Sequence, residues 1–162
     1  PLVPGPLWAS DDDKSQRWIN QLHKRGKAVV CYISIGSWEE WRDDAADFPD
    51  VAIGNGLEGW PDAKWLDVTN SEVRNIMEAR VTKAAGMDCD GIEPDNMGVS
   101  FEQDTGVDVS EKDLIEYNTW FAEIVHDAGM KVGLKNTLEL VEQLADSFDF
   151  AINEECYQYT EC

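Results

Sequence analysis

The feature that most constrains this chain is a repeated switch between short strand-like runs and amphipathic stretches of helical period. The runs are KAVVCYISIG (Lys27–Gly36), KWLDV (Lys64–Val68), DGIEPDN (Asp90–Asn96), KVGLKN (Lys131–Asn136) and FDFAINEE (Phe148–Glu155). They read as five short strands. Between them lie helices. One covers Asp12–Arg25, capped by Ser10 and stopped by Gly26. A second, Ser71–Ala85, carries Val73, Ile76, Met77, Val81 and Ala84 on one stripe and ends at Gly86. A third, Glu111–Ala128, follows the capping pattern SEKD and turns Leu114, Tyr117, Phe121, Ile124 and Val125 inward before Gly129. A fourth runs about Leu138–Ala145. Strand–helix alternation with near-continuous apolar strands predicts a parallel α/β sheet.

Strand ends separate a barrel from an open sheet. Polar residues gather at the carboxyl end of every run: Ser34, Asp67, Glu93 with Asp95, Lys135 with Asn136, and Asn153 with Glu154. No P-loop or GxGxxG fingerprint follows any of them. Functional groups on the ends of many strands are the habit of a (β/α)8 TIM barrel. The 162 residues fall short of the barrel's typical length of about 250. A strand expected before the first helix is replaced by PLVPGP, and two more are expected after Cys162. The expected architecture is therefore one truncated barrel domain over residues 1–162, incomplete at both ends.

Composition narrows the partners. A net charge of −20 repels nucleic acid and anionic membrane and favours a cationic partner. No apolar run approaches the roughly 18 residues of a membrane span. PLVPGPLWAS lacks the basic start and apolar run of a signal peptide, so the chain reads as a processed piece. Cys156 and Cys162 are spaced for a short local disulfide, implying an oxidising, extracellular setting. Cys31 and Cys89 read as buried free thiols. With no CxxC pair, and with His23 and His126 in helical segments far from any cysteine, neither a metal nor a cofactor is expected. A monomer is expected.

The segment Ser37–Ala63 reads as a long loop at the rim, and long loops are generally functional or disordered. It holds Trp38, Trp41 and Trp60, and the first and last of these are candidate sugar platforms. Glu39, Glu40, Asp43 and Asp44 also lie on this segment.

The inward acids carry the chemistry. Period two along the strand puts Glu93 and Asp95 on one face. Glu154 ends a strand two positions further round, so Asp95 and Glu154 can approach across the mouth. Paired carboxylates flanking a bond are the equipment of glycoside hydrolysis. Neither histidine sits near a strand end, so no Ser-His-Asp set competes. Glu93 is expected to pair with Lys135, and Lys135 and Asn136 to hold substrate or the acids. Tyr32 and Ser34 share an inward face and are expected to line the pocket floor, with Asp67 and Asn153 at neighbouring strand ends. The alternative is a non-catalytic carbohydrate-binding protein.

These residues also carry a family resemblance. VVCYISIGSWEEWRDD, WLDV, DCDGIEPDN, VGLKN and FDFAINEECYQYTEC resemble, in order, the blocks of the endo-α-1,4-polygalactosaminidases, glycoside hydrolase family 114. The resemblance spans about Asp12 to Cys162. It implies a (β/α)8 barrel in a secreted protein that cleaves galactosamine-rich polysaccharide, a polycation that would answer the acidic charge. It also implies Glu39, Glu40, Asp43 and Asp44 as candidate acids for that cationic substrate. Carried over by motif, it implies Asp95 of EPDN and Glu154 of NEECYQY as the catalytic pair. The family usually reads NEQC where this chain has Glu155, which places one more acid beside Glu154.

Overall fold

A computed structural model of the chain describes residues 12–102, 104–160 and 162. The PLVPGP segment and the expected Ser10 cap lie outside the described residues. Helix α1 (Asp12–Lys24) is followed by β1 (Val30–Ser34), β2 (Ser37–Glu39), β3 (Ile53–Leu57) and β4 (Trp60–Leu66). Then come α2 (Ser71–Gly86), β5 (Gly91–Asp95), α3 (Glu111–Asp127), β6 (Lys131–Lys135), the short α4 (Val141–Leu144), β7 (Phe150–Ile152) and the short α5 (Cys156–Tyr159). Asn70 accepts from the Glu72 amide ahead of α2, and Ser110 and Asp113 form a reciprocal capping box ahead of α3.

The strands form two sheets. One has four strands in the order β1-β5-β6-β7, all pairs parallel. The other is antiparallel with the order β2-β4-β3. Four parallel strands with their helices make half of a (β/α)8 barrel. The count is one lower than expected because KWLDV does not join the parallel sheet, and β1 pairs directly with β5. Trp65 and Leu66 instead end β4, the middle strand of the antiparallel sheet. The reason is local: Leu57 and Trp60 pair across a Glu58–Gly59 turn in which Gly59 takes φ +81°, a conformation glycine adopts without strain. The expected rim loop is thus largely a small sheet.

The core lies between the parallel sheet and α1, α2 and α3, where Ile19, Ile33, Met77, Ile92, Leu114, Phe121 and Val132 are buried. At the amino end of the sheet one device occurs twice. Asp90, just before β5, accepts from the Val29 amide at 2.7 Å and pairs with His23 at 2.8 Å. Asp149, just before β7, accepts from the Val132 amide at 3.0 Å and pairs with His126 at 2.8 Å and Lys131 at 2.6 Å. Both histidines end helices, so each aspartate ties a helix end to a strand. The Lys131 hydrogen bond, and after it those of Val132 and His126, hold the Asp149 carboxyl well below the ordinary carboxylate range despite some burial.

At the opposite end, α3 braces the strand tips. The buried Tyr117 hydroxyl donates to Ile35 O at 2.7 Å, and Asn118 Nδ2 donates to Met97 O at 3.1 Å. Gly36 lets the chain leaving β1 pass against the chain leaving β5: a Cβ there would sit 1.8 Å from Asn96 O.

Cys156 and Cys162 are bridged as expected, with Cα atoms 4.9 Å apart. Cys31 and Cys89 are not free thiols. They form a second disulfide, Cα–Cα 6.0 Å, across a sequence separation of 58. The parallel β1–β5 pairing sets Cys31 opposite Ile92 and so brings Cys89, just ahead of β5, within reach. Closing a loop of that length stabilises the fold by about 4 kcal/mol in the chain-entropy model. Replacing both residues with alanine is expected to lower the unfolding free energy by about 2–5 kcal/mol in chemical denaturation. A loss under about 1 kcal/mol would show that the bridge does not constrain the unfolded chain.

Candidate active site

The carboxyl end of the parallel sheet is organised around one ammonium group. Lys135 closes β6, and its side chain is 5% exposed. Its Nζ lies 3.0 Å from Glu93 Oε1, 3.3 Å from Glu154 Oε1 and 3.5 Å from Asp95 Oδ1. Glu93 and Asp95 share a face of β5 by the two-residue period, while Pro94 between them packs on the other side. Glu154 arrives from the segment after β7, which neighbours β6. Burial alone would lower the Lys135 ammonium's pKa, but the Asp95, Glu93 and Glu154 carboxylates outweigh it and hold the group above its ordinary value.

Each catalytic candidate is gripped at both oxygens. Asp95 Oδ2 accepts from the Tyr32 hydroxyl at 2.7 Å while Oδ1 faces Lys135. Burial first, and Asp95 second, push the Tyr32 phenol far above its usual range, so it remains a donor. The Tyr32 ring also lies 5.5 Å from Lys135 Nζ. Glu154 Oε2 accepts from Asn136 Nδ2 at 3.4 Å, and the Glu154 amide donates to Asn136 Oδ1 at 2.9 Å. Since Asp95 Oδ1 and Glu154 Oε1 both touch Lys135 Nζ, those two oxygens are no further apart than the two contacts laid end to end, about 7 Å. Glu154 is the open member of the set, 57% exposed.

The backbone turns sharply where these groups sit. Asn96, Asn136, Thr137 and Glu155 all take left-handed φ values between 47° and 58°. For the β-branched Thr137 this is strained, and such strain gathers where a site dictates the backbone. A cavity of about 330 Å³ opens above, lined by Asp95, Lys135, Asn136, Asn96, Trp65 and Phe101 among others.

The structure brings Asp95, Glu154, Glu93, Lys135, Asn136 and Tyr32 together, and sends other expected site residues elsewhere. Ser34 is buried below the cleft, its hydroxyl 2.6 Å from that of Ser37, and both accept from Asn96 Nδ2. Asp67 accepts from the Thr69 amide and hydroxyl, a turn ahead of α2 rather than a pocket wall. Trp38 is partly buried against the core, donates to Ala45 O and has Lys64 Nζ 5.4 Å from its ring centre, so part of its ring is already occupied. Asn153 lines a mostly apolar cavity with Leu134, Phe148 and Phe150, which shares Asn136 and Leu138 with the first. Trp60 remains exposed on the β3–β4 hairpin and Trp41 on the turn after β2.

Two of the expected rim acids are structural. Glu39 is buried against Arg42, and Asp44 accepts from Arg80 Nε and Nη2 at 2.7 and 2.8 Å. Burial would raise the Asp44 carboxyl, yet Arg80 pulls it below its ordinary value. Sequence reasoning missed Asn96, although it stands in the quoted EPDN motif, and Trp65, Phe101 and Glu102. Trp65 was hidden by reading KWLDV as a parallel strand. Among the described residues no group of three or more His, Cys, Asp or Glu side chains is placed to hold a metal ion. No helix among them is long and apolar enough to cross a membrane.

Residues 5–162 match the family model described as glycoside-hydrolase family GH114. Among solved structures, Ega3 from Aspergillus fumigatus in complex with galactosamine is similar at a TM-score of 0.87 and 36% identity, over 91% of this chain and 58% of that one. The chain thus spans little more than half the length of that relative. The glycoside hydrolase domain of PelA from Pseudomonas aeruginosa is similar at a TM-score of 0.64 and 13% identity, over 86% of this chain and 55% of that one. Amy13B from Eubacterium rectale gives a TM-score of 0.64 at 14% identity, over 96% and 40% respectively. These last two share the fold. No curated protein matches the sequence.

Replacing Lys135 with methionine is expected to lower stability at pH 7 by about 2 kcal/mol, less than the roughly 3–5 kcal/mol of a fully buried pair because the acids are partly hydrated. In the unaltered protein the folded-state value lies above 10.5, so the cluster's contribution is complete below pH 10.5 and declines as pH climbs through the folded value. Denaturation of both proteins measured from pH 7 to 11 checks this; a deficit independent of pH would contradict the assignment.

Proposed function

The chain belongs to glycoside-hydrolase family GH114, and from that premise we propose that it is an endo-acting hydrolase of α-1,4-linked galactosamine chains. The observation that carries the reading is the charge balance around Lys135: one ammonium faces Glu93, Asp95 and Glu154, an acidic excess even with Glu154 protonated as a proton donor, and Asp95 and Lys135 line the adjoining cavity. A de-acetylated galactosamine unit brings the missing positive charge. The likeness to Ega3, solved with galactosamine, supports the same substrate class.

Asp95 is the nucleophile. Tyr32 and Lys135 hold its carboxylate in one orientation, and it attacks the anomeric carbon as Glu154 gives a proton to the leaving oxygen. The chain end departs as an alcohol, leaving a glycosyl ester on Asp95. Glu154 then takes a proton from water, whose oxygen bonds to the anomeric carbon and frees Asp95. The upper bound of about 7 Å between the two acids is compatible with this double displacement, which needs carboxyl groups about 5–5.5 Å apart, and overlaps only the short end of the roughly 6.5–9.5 Å of single displacement. Lys135 and Asn136 position the pair, and Glu93 completes the pairing of Lys135. Two disulfides fit secretion into an oxidising medium.

Asp95→Asn and Glu154→Gln should each cut reducing-end release from galactosamine oligomers by at least about 100-fold while the oligomers still bind. Full activity in either variant would remove that residue from the chemistry. Binding by the unaltered chain with no reducing ends released would favour a non-catalytic glycan-binding protein.

A further inference from the structure

The parallel sheet loosens where the acids sit. The ladder between β5 and β6 pairs Gly91 with Lys131 and Ile92 with Val132 and reaches no further, whereas β1 stays paired with β5 as far as Ser34 and Asp95. The cause is a proline. Asp95 O accepts from the Ile35 amide on the β1 side, so the residue before it, Pro94, turns its backbone toward β6 and has no N–H to offer. The amide of the buried Lys135 bonds instead to the thioether of Met97, its N 3.4 Å from Sδ. A thioether is a weak acceptor, and here it takes a buried N–H that the neighbouring strand does not receive. Met97 is itself 2% exposed, and its carbonyl accepts from Asn118 Nδ2 at 3.1 Å. Asn118 is fully buried on α3, and its Oδ1 meets no donor among the described residues. That is an unfavourable choice for a position whose task is packing alone.

We infer, on the basis of the hydrolase reading above, that Met97 held by Asn118 is a positioning residue. It sets the distance between β5 and β6 beyond the end of their ladder, and with it the distance of Asp95 from Lys135 and Glu154. Asp95 stands two residues before Met97, across the left-handed Asn96. Lys135 carries both the amide bonded to Met97 and the ammonium shared by Asp95 and Glu154. A shift of the Met97 side chain therefore moves one acid relative to the other without any contact to substrate. Misplacing reacting groups by about 1 Å can cost about 100-fold in rate. The acceptor matters as well as the bulk. Leucine has nearly the volume of methionine but accepts nothing, whereas glutamine keeps the length and offers an oxygen to the Lys135 amide. A packing role ranks leucine above glutamine at this buried position. Positioning through the sulfur ranks glutamine above leucine.

The test is steady-state release of reducing ends from galactosamine oligomers by the full chain and by Met97→Leu, Met97→Gln, Asn118→Leu and the double variant Met97→Leu/Asn118→Leu, with rates taken per folded molecule. Met97→Leu should lower kcat about tenfold with KM within about twofold, and Asn118→Leu should show the same split. Met97→Gln should keep more of kcat than Met97→Leu. Because both residues act through one chain of contacts, the double variant should lose about as much as the worse single one. Unaltered kcat in Met97→Leu or Asn118→Leu, or a glutamine variant slower than the leucine one, would overturn the assignment. Crystal structures of the unaltered chain and Met97→Leu read the same geometry without turnover: the separation of Asp95 Oδ1 from Glu154 Oε1 should change by at least about 0.5 Å. The two readings fail separately. No release by the unaltered chain, with a separation that responds to Met97→Leu, removes the hydrolase and keeps the positioning. Release at full kcat in Met97→Leu, with the separation unmoved, keeps the hydrolase and removes the positioning.

Discussion

An ammonium buried at the end of a parallel strand must be paired, and the pairing of Lys135 dictates the geometry around it. Leaving it alone would cost several kcal/mol or its charge. The fold meets that demand from three directions, with Glu93 and Asp95 on β5 and Glu154 beyond β7. Those contacts bring one oxygen each of Asp95 and Glu154 within about 7 Å of the other. They also over-supply negative charge, and an unbalanced site is a receptive one. The remaining polar groups follow from this centre: Tyr32 takes the Asp95 oxygen turned away from Lys135, and Asn136 takes the corresponding oxygen of Glu154.

The two ends of the sheet are built from the same residue types for different ends. At the amino end, Asp90 and Asp149 spend their carboxylates on strand amides, histidines and, for Asp149, Lys131. These are closed arrangements in which each acid faces hydrogen-bond donors. At the carboxyl end three acids share one cation beside a cavity. An aspartate one residue before a strand and an aspartate at its last residue therefore differ in role because of what the parallel register sets opposite them.

Much of this was legible in the sequence, and the failures have physical causes. The long helices, the strands carrying Cys31, Ile92 and Val132, and the Glu93–Lys135 pair follow from period, caps and the need to pair buried charge. KWLDV was misplaced because a short apolar run reads alike in a parallel and an antiparallel sheet; only the Glu58–Gly59 turn distinguishes them. The Cys31–Cys89 bridge depends on which strand lies beside β1, a fact of topology that spacing along the chain does not encode. Ser34 and Asp67 were sorted by position at a strand end, yet local hydrogen bonds to Ser37 and Asn96, and to Thr69, claim their side chains. Trp38 was judged by residue type alone, while burial and Lys64 decide what its ring can touch.

The central claim is that Asp95, held by Lys135 and Tyr32, forms a bond to the anomeric carbon. Mass spectrometry of the protein quenched during turnover of a 5-fluoro-α-galactosaminyl fluoride tests it most directly, because the slowed second step lets the ester accumulate. The account predicts a single glycosyl adduct on Asp95; an adduct on Glu93 or Glu154 instead would contradict it.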